Sequence, residues 1–286
     1  MLINLDIDLL RSLVTITETG SFTRAAERLG RTQSTISLQV KRLEEQIGCQ
    51  LLQRSTHHIG LTTEGEMLVT YARRILALND ELVARVTEPS MSGLVRLGTP
   101  EHFAAVHLAE VLAGFARTHP LVTLEVRCDF TVNLLRAFAG GELDLILIKR
   151  EPQSEADGIR VWRERLEWSC SDRNQLATDK PVPLVLSPSP CLYRKRAIQA
   201  LDGAGRQWRI AYTSHSLAGI QAAVRAGLGV TVLPHDIIPL GFDALGPDSG
   251  FPLLDDTEIT LLKAAGTLPP PVHRLAEHIV QALTRA

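Results

Sequence analysis

Six side chains between Gln33 and Lys41 form a set rich in hydrogen-bonding groups: Gln33, Ser34, Thr35, Ser37, Gln39 and Lys41. Ile36, Val40, Leu43 and Ile47 recur among them at spacings of 4, 3 and 4. That period puts an apolar stripe on one side of a helix and leaves the polar set on the other. Amides and hydroxyls displayed in this way suit the donor and acceptor pattern of base edges in a DNA major groove. Gln33 can pair bidentately with adenine, while Ser34, Thr35 and Ser37 are less selective. Thr23, Thr32, Gln39 and Lys41 suit phosphates, which set register without reading sequence. Arg54 is placed to enter an adjacent minor groove, where a narrow A·T tract attracts a guanidinium.

The elements that must hold these groups are legible around them. A first helix is expected over 6–19, carrying Leu9, Leu10, Leu13, Val14 and Ile16. Ser21-Phe22-Thr23 starts a second, whose inner face is Ala25, Ala26 and Leu29. Gly30-Arg31-Thr32 is the turn, and a third helix runs over 33–47 with Gly48 as its C-cap. Residues 51–54 and 59–61 then form a short hairpin around Ser55-Thr56-His57-His58. This is the layout of a winged helix-turn-helix, in which the second helix of the motif enters the major groove. Between Ser21 and Thr62 six basic residues face three acidic ones, with His57 and His58 beside them. So modest an excess points to affinity built from paired copies.

Ala25-Ala26, Leu29, Thr32-Gln33-Ser34, Ile36-Ser37, Leu43-Glu44, Gly48, Leu51-Leu52, Arg54, Leu61-Thr62 and Gly65 together resemble the LysR-type transcriptional regulator signature. The chain's 286 residues, with the reading head first, are similar to that family too. Arg31 departs from the small polar residue the family commonly shows there. A phosphate contact and a solvent-facing turn both fit it. Within the family, Arg31-Thr32-Gln33-Ser34 and the stretch from Trp208 to Pro234 look most like the LrhA/HexA branch.

Beyond the hairpin, Thr63 with Glu66 three residues on reads as a capping box. The helix it opens carries Leu68, Tyr71, Ile75, Leu78 and Leu82 at alternating spacings of 3 and 4, the a/d pattern of a dimerising coiled coil. Packing on its own domain is the other use of such a stripe. Pro89-Ser90-Met91-Ser92-Gly93 reads as a hinge, after which the pattern changes to strands alternating with helices. That alternation predicts an α/β domain with a largely parallel sheet. The expected divisions are 5–63 for the winged helix-turn-helix, 64–88 for the linker helix, 89–93 for the hinge and 94–286 for the regulatory domain. The resemblance implies two lobes like those of periplasmic solute-binding proteins, lobe I over about 94–163 and 264–286, lobe II over about 164–263. Ala223 to Pro234 looks like the helix-to-strand signature of the second lobe.

Ligands of open α/β sheets bind beyond the carboxyl ends of strands, near helix N-termini. By resemblance, a small-molecule effector would contact Thr99, Thr131, Ser214 and Ser216. Capping alone also explains a Ser or Thr at such a position. Glu101 and Asp129 would repel an anion there and favour an amine.

Other classes find less support. Near-neutral overall charge, −2, neither excludes nor demands nucleic acid. Cys49, Cys128, Cys170 and Cys191 are scattered without metal-like spacing, which suits reduced thiols in the cytoplasm. Cys170 and Cys191 admit a redox switch, though buried structural cysteine is the commoner case. His102/His107 and His273/His278 are five apart, not the spacing of a HExxH zinc site. No GxSxG, Walker A or complete GxGxxG sequence occurs. No export signal is visible, and no run approaches the ~18 apolar residues of a membrane span. The reading is therefore not an enzyme and needs no cofactor beyond the effector. It is a DNA-binding regulator that recognises an interrupted palindrome as a homodimer or homotetramer and thereby alters access of RNA polymerase. The alternative is a cytosolic solute-binding protein without DNA readout.

Overall fold

The computed structural model describes residues 4–54, 59–87, 91–152, 157–172 and 180–284. The chain divides into two compact units, one holding Met1–Met91 and Gly114–Leu121, the other Ser92–Ala113 and Val122–Thr284.

The first unit runs α1 (Ile7–Thr19), α2 (Phe22–Leu29), α3 (Gln33–Ile47), β1 (Leu52–Arg54), β2 (Ile59–Leu61) and α4 (Thr63–Thr87). The caps explain the boundaries. Asp6, Ser21 and Thr32 each accept a hydrogen bond from a backbone N–H in the first turn of the helix they precede. Gly30 closes α2 at φ 60°, a left-handed conformation that a side chain would strain. The apolar stripes converge as their spacing requires: Leu9, Leu13, Ile16, Ala25, Ile36, Val40 and Leu43 are buried in one core with Leu51 and Val69. Each large side chain so buried contributes about 1.5–3 kcal/mol.

The hairpin pairs antiparallel, Leu52 with Leu61 and Arg54 with Ile59. Its turn, Ser55 to His58, lies outside the described residues, as do 88, the last residue of the expected linker helix, and 89–90 of the expected hinge. Two boundaries differ from expectation. The capping residue of α4 is Thr62, not Thr63: Thr62 Oγ1 accepts from Gly65 N at 3.0 Å and donates to Gln50 O at 2.8 Å. Ser92 and Gly93, expected in the hinge, already belong to a strand.

The second unit begins with β3 (Ser92–Thr99) and α5 (Glu101–Phe103), which continues through a π-helical turn, Ala104–Leu108, into α6 (Ala109–Thr118), whose residues from 114 on group with the first unit. There follow β4 (Leu121–Cys128), α7 (Thr131–Ala139), β5 (Leu145–Arg150), β6 (Ile159–Glu164), β7 (Leu166–Cys170), β8 (Val182–Leu186) and α8 (Leu192–Gly203). The chain ends with β9 (Trp208–Thr213), α9 (Leu217–Arg225), β10 (Thr231–Pro234), β11 (Asp243–Leu245), β12 (Thr257–Lys263) and α10 (Pro270–Leu283).

These form two lobes. Lobe I is a five-stranded sheet in the order β4-β3-β5-β12-β6. Lobe II holds a three-stranded sheet, β10-β7-β11, and the pair β8-β9. Leu145 to Ile148 are all buried, as a strand covered on both faces must be. The expectation of a largely parallel sheet is corrected. β3 pairs β5 and β8 pairs β9 in parallel, but β12 runs antiparallel to β5 and β6, and β7 antiparallel to β10 and β11. The lobe boundary is corrected with it. The return to lobe I comes before Thr257, because β12 fills the gap between β5 and β6.

Gly65 tests how tightly the wing is tied to α4. A Cβ there would lie 2.1 Å from Leu51 O, a backbone atom held in place by Thr62 N at 3.0 Å. Gly65→Ala should cost about 1–3 kcal/mol of stability through overpacking. Urea denaturation followed by circular dichroism measures it, and an unchanged midpoint would show that the hairpin gives way freely.

Candidate nucleic-acid interface and ligand cavity

Burial of Ile36, Val40 and Leu43 rotates α3 so that Thr32, Gln33, Ser34 and Lys41 are exposed, with Thr35, Ser37 and Gln39 half-buried at the margin. Thr32 does more than cap. Its Oγ1 lies 2.9 Å from Ser34 Oγ and 2.8 Å from Thr35 Oγ1, so the hydroxyls at the helix start form one hydrogen-bonded group. Gln39 is anchored inward, its Oε1 accepting from Ser12 Oγ at 2.7 Å, which fixes α3 against α1. Lys41 is 3.7 Å from Glu45 one turn on, an exposed pair that leaves its charge available. Thr23 is exposed on α2. Arg54 ends β1, and its side chain lies outside what the structure describes.

Two features of this face were not singled out from sequence. Leu38 is exposed, 66%, one turn from Ser34 and amid the polar set. Glu44 positions the wing: its Oε1 accepts from Leu51 N at 2.9 Å and Leu52 N at 3.3 Å. On α4, Val69, Ala72 and Leu76 face the core, while Tyr71, Ile75, Leu78 and Leu82 are exposed and Leu68 packs against the core's edge. The predicted stripe is therefore distinct from the face that α4 uses within its own unit, Leu68 excepted.

In the second unit a cavity of about 870 Å³ opens between the lobes. Of the residues expected there, Glu101 and Thr131 line it; Thr99, Ser214 and Ser216 do not. Thr99 is fully buried in lobe I. Ser216 caps α9 by accepting from Gly219 N at 3.5 Å, and Ser214 Oγ accepts from Ser216 N at 3.2 Å. Those two hydroxyls accept at the helix start, the role capping alone predicts. Thr131 Oγ1 accepts from Lys149 N at 3.2 Å, joining α7 to β5. Both acidic residues are internally compensated. Asp129 Oδ1 accepts from Phe130 N and Asn133 Nδ2, each at 2.7 Å, and Glu101 Oε2 accepts from Leu217 N at 3.4 Å.

Sequence reasoning missed the cluster at the base of this cavity, because its members are far apart in the chain. Glu164, the last residue of β6, is buried with His102 and Tyr193. Tyr193 OH donates to Glu164 Oε2 at 2.7 Å, and Thr257 Oγ1 donates to the same oxygen at 2.7 Å. His102 Nε2 is 2.9 Å from Glu164 Oε1 and 2.8 Å from Tyr193 OH. An ionised carboxylate only accepts, so Nε2 carries the proton. Burial opposes ionisation of Glu164, but the His102 hydrogen bond and charge, the field of Lys149 and the Tyr193 hydroxyl outweigh it, holding the carboxyl at about 2. Burial and the neighbouring Lys149 push His102 the other way from its usual protonation, down to about 4 against Glu164's pull. Lys149 Nζ sits 3.5 Å above the Tyr193 ring, and burial lowers its pKa despite the field of Glu164. Cys170 and Cys191 are both buried in the lobe II core.

Further contacts join the lobes: Lys195 Nζ to Glu151 Oε1 at 2.7 Å and His107 Nε2 to Asp236 Oδ2 at 2.9 Å. Among the described residues no helix is long and apolar enough to cross a membrane.

Comparison with known proteins agrees with this arrangement. Residues 7–66 match the family model of the bacterial regulatory helix-turn-helix protein, lysR family, and residues 89–284 match the LysR substrate binding domain. The HTH-type transcriptional regulator DgdR of Burkholderia cepacia is 38% identical over 90% of this chain and 87% of its own. PecT of Dickeya dadantii, also an HTH-type transcriptional regulator, is 31% identical over 91% and 82%. Among solved structures, full-length BenM aligns at a TM-score of 0.54 and 22% identity over 97% of this chain and 96% of that one. Vibrio fischeri DarR in complex with DNA aligns at 0.55 and 15%, over 97% and 99%.

The His102–Glu164 pair has a signature in pH. An unfolded histidine takes up its proton near 6.5, whereas folded His102 resists until about 4. Stability is therefore lost as pH falls through that window, with a slope approaching about 1.4 kcal/mol per pH unit. Glu164, depressed from 4.5 to about 2, adds a second loss below the first. Denaturant unfolding at several pH values should show the upper loss in the native chain and a shallower one in His102→Gln; equal slopes would reject it.

Proposed function

The chain belongs to the LysR-type DNA-binding transcriptional regulators, and from that premise we propose how its own residues do the work. Gln33, Ser34, Thr35 and Ser37 read base edges in the major groove of double-stranded DNA. Thr23, Thr32, Gln39 and Lys41 hold phosphates, with Gln39 confined to its free amide nitrogen. Arg54 enters the neighbouring minor groove from the wing. Leu38 joins the reading set, since an apolar side chain among polar ones suits a thymine methyl group. The observation that carries this reading is the exposure of Gln33 and Ser34 on a helix whose opposite face is locked in a core.

Two copies pair through Tyr71, Ile75, Leu78 and Leu82 on α4, with Leu68 at the edge, and place two heads on an interrupted palindrome. The regulatory domain extends the dimer to a tetramer. An effector in the interlobe cavity shifts the balance between two assembly geometries, and so the access of RNA polymerase, through its differential affinity for them. Thr131 and Glu101 belong to that site; Thr99, Ser214 and Ser216 support its walls. The protein works in the cytoplasm and catalyses no reaction. Placement in the LrhA/HexA branch rests on the Arg31–Ser34 and Trp208–Pro234 stretches alone.

Genome-wide capture of bound fragments tests the head. The native chain should recover a pseudo-palindromic motif with retention that falls steeply with salt, as counterion release requires. Gln33→Ala should weaken capture by about 1–3 kcal/mol per contacted adenine and relax preference at that base. Motif-free, salt-insensitive recovery would move the solute-binding alternative to the front.

Ile75→Glu with Leu82→Glu should yield monomeric linker contacts, seen in sedimentation as a halved assembly mass. An unchanged assembly would reassign the stripe.

A further inference from the structure

The chemistry of the cavity goes further than its existence. Lys149 leaves β5 beside the first turns of two helices from opposite lobes. Its backbone N–H meets Thr131 at the start of α7, and its ammonium lies over the ring of Tyr193 at the start of α8. Neither helix has a side-chain cap. Helix starts that lack caps direct unsatisfied N–H groups and positive potential outward, a setting that favours an anion. Lys149 Nζ adds a donor there and, when protonated, a positive charge that an anion would stabilise against burial.

The described ion pairs and hydrogen bonds give that ammonium no acceptor; its contact is the Tyr193 ring. Glu164 acts on it only through its field, and both Glu164 oxygens are already engaged by His102, Tyr193 and Thr257. The other cations at the cavity wall are engaged: Lys195 with Glu151, Arg194 with Ser187 O at 3.3 Å, and Arg150 with Asp157 O at 2.5 Å. The two carboxylates that seemed to favour an amine are engaged as well. Asp129 takes up the N–H of Phe130, ahead of α7, and the side-chain amide of Asn133, while Glu101 takes up the first N–H of α9.

The rest of the wall is apolar, with Phe130, Val132, Leu135, Ile198, Ile220 and Ile237 prominent. A cavity of about 870 Å³ is large for an inorganic anion and lies within the range of sites for sizeable organic ligands. We propose that it takes an organic monocarboxylate with a large apolar body, the carboxylate held by Lys149 and the starts of α7 and α8. The proposal rests on the effector-binding reading of this domain.

Isothermal titration of the full-length chain with octanoate, octylammonium and octanol at neutral pH tests it. Octanoate should bind at least tenfold tighter than the other two, a difference of about 1.4 kcal/mol or more. Lys149→Gln should erase the preference, and Lys149→Arg should keep it within a few fold. Salt-dependent DNA retention and cooperative thermal unfolding of each variant, measured on the same preparations, establish that both units have folded. Equal binding of the three probes, or an octanoate preference intact in Lys149→Gln, overturns the proposal while leaving an effector cavity. Absence of binding by all three, with DNA retention normal, overturns it as well. Loss of DNA retention in the native chain is a separate result and strikes the DNA-binding reading instead.

Discussion

One buried carboxylate organises the second unit. Glu164 is where β6 ends and the chain leaves lobe I, and Thr257 is where β12 begins and the chain comes back. The Thr257 hydroxyl donates to Glu164, so both crossovers are pinned to one point. His102 brings the first helix of lobe I to the same carboxylate, and Tyr193 brings α8 of lobe II. An isolated ionised carboxylate in such surroundings would cost far more than a fold can supply. Three donors and the field of Lys149 make it tolerable. Removing any one of those groups leaves a buried charge short of partners, a more serious defect than the loss of a surface pair.

The same principle governs the first unit with weaker groups. Each helix begins where a short polar side chain takes up orphan N–H groups, and the turn between α2 and α3 follows a glycine that tolerates the left-handed region. Thr62 and Glu44 extend the device to the wing. Thr62 bonds both Gln50 O and Gly65 N, and Glu44 bonds the N–H groups of Leu51 and Leu52. The hairpin is thus hung from α3 and α4 by polar contacts at its base. The reading helix owes its orientation to the apolar core and to Ser12, which holds Gln39 from behind.

Much of this was legible because helices declare themselves locally. The 3.6 period, a capping threonine and a terminal glycine set α3 at Gln33–Ile47 without tertiary information. The four-residue run Leu145 to Ile148 announced a covered strand in the same way. β11 went unread because it has three residues, β7 was not picked out, and β6 mixes Arg160, Arg163 and Glu164 with Ile159 and Trp162 in no clean alternation. The parallel expectation failed because the sense of β12 against β5, and of β7 against β10 and β11, is set by crossovers that local pattern does not reveal. Thr99, Ser214 and Ser216 were chosen by resemblance, and none of the three lines the cavity. Lys149 follows the apolar run Leu145 to Ile148 and was not singled out. Its significance depends on Tyr193, 44 residues on in sequence and in the other lobe.

The placement of Lys149 also constrains how the two lobes respond to a ligand. Lys149 belongs to lobe I, but its charge rests on a ring carried by lobe II, and the helix starts beside it come one from each. An anion bound there touches both lobes at once and lowers the electrostatic cost of holding them together. It also lies next to the Glu164 cluster without needing to break it, since those hydrogen bonds are already complete. Binding energy at such a point is spent on the relative position of the lobes, with the crossovers as a fixed fulcrum. A ligand changes a conformational balance only by the difference in its contacts between states. A site shared across the cleft, on a charge that neither lobe satisfies alone, supplies that difference by construction.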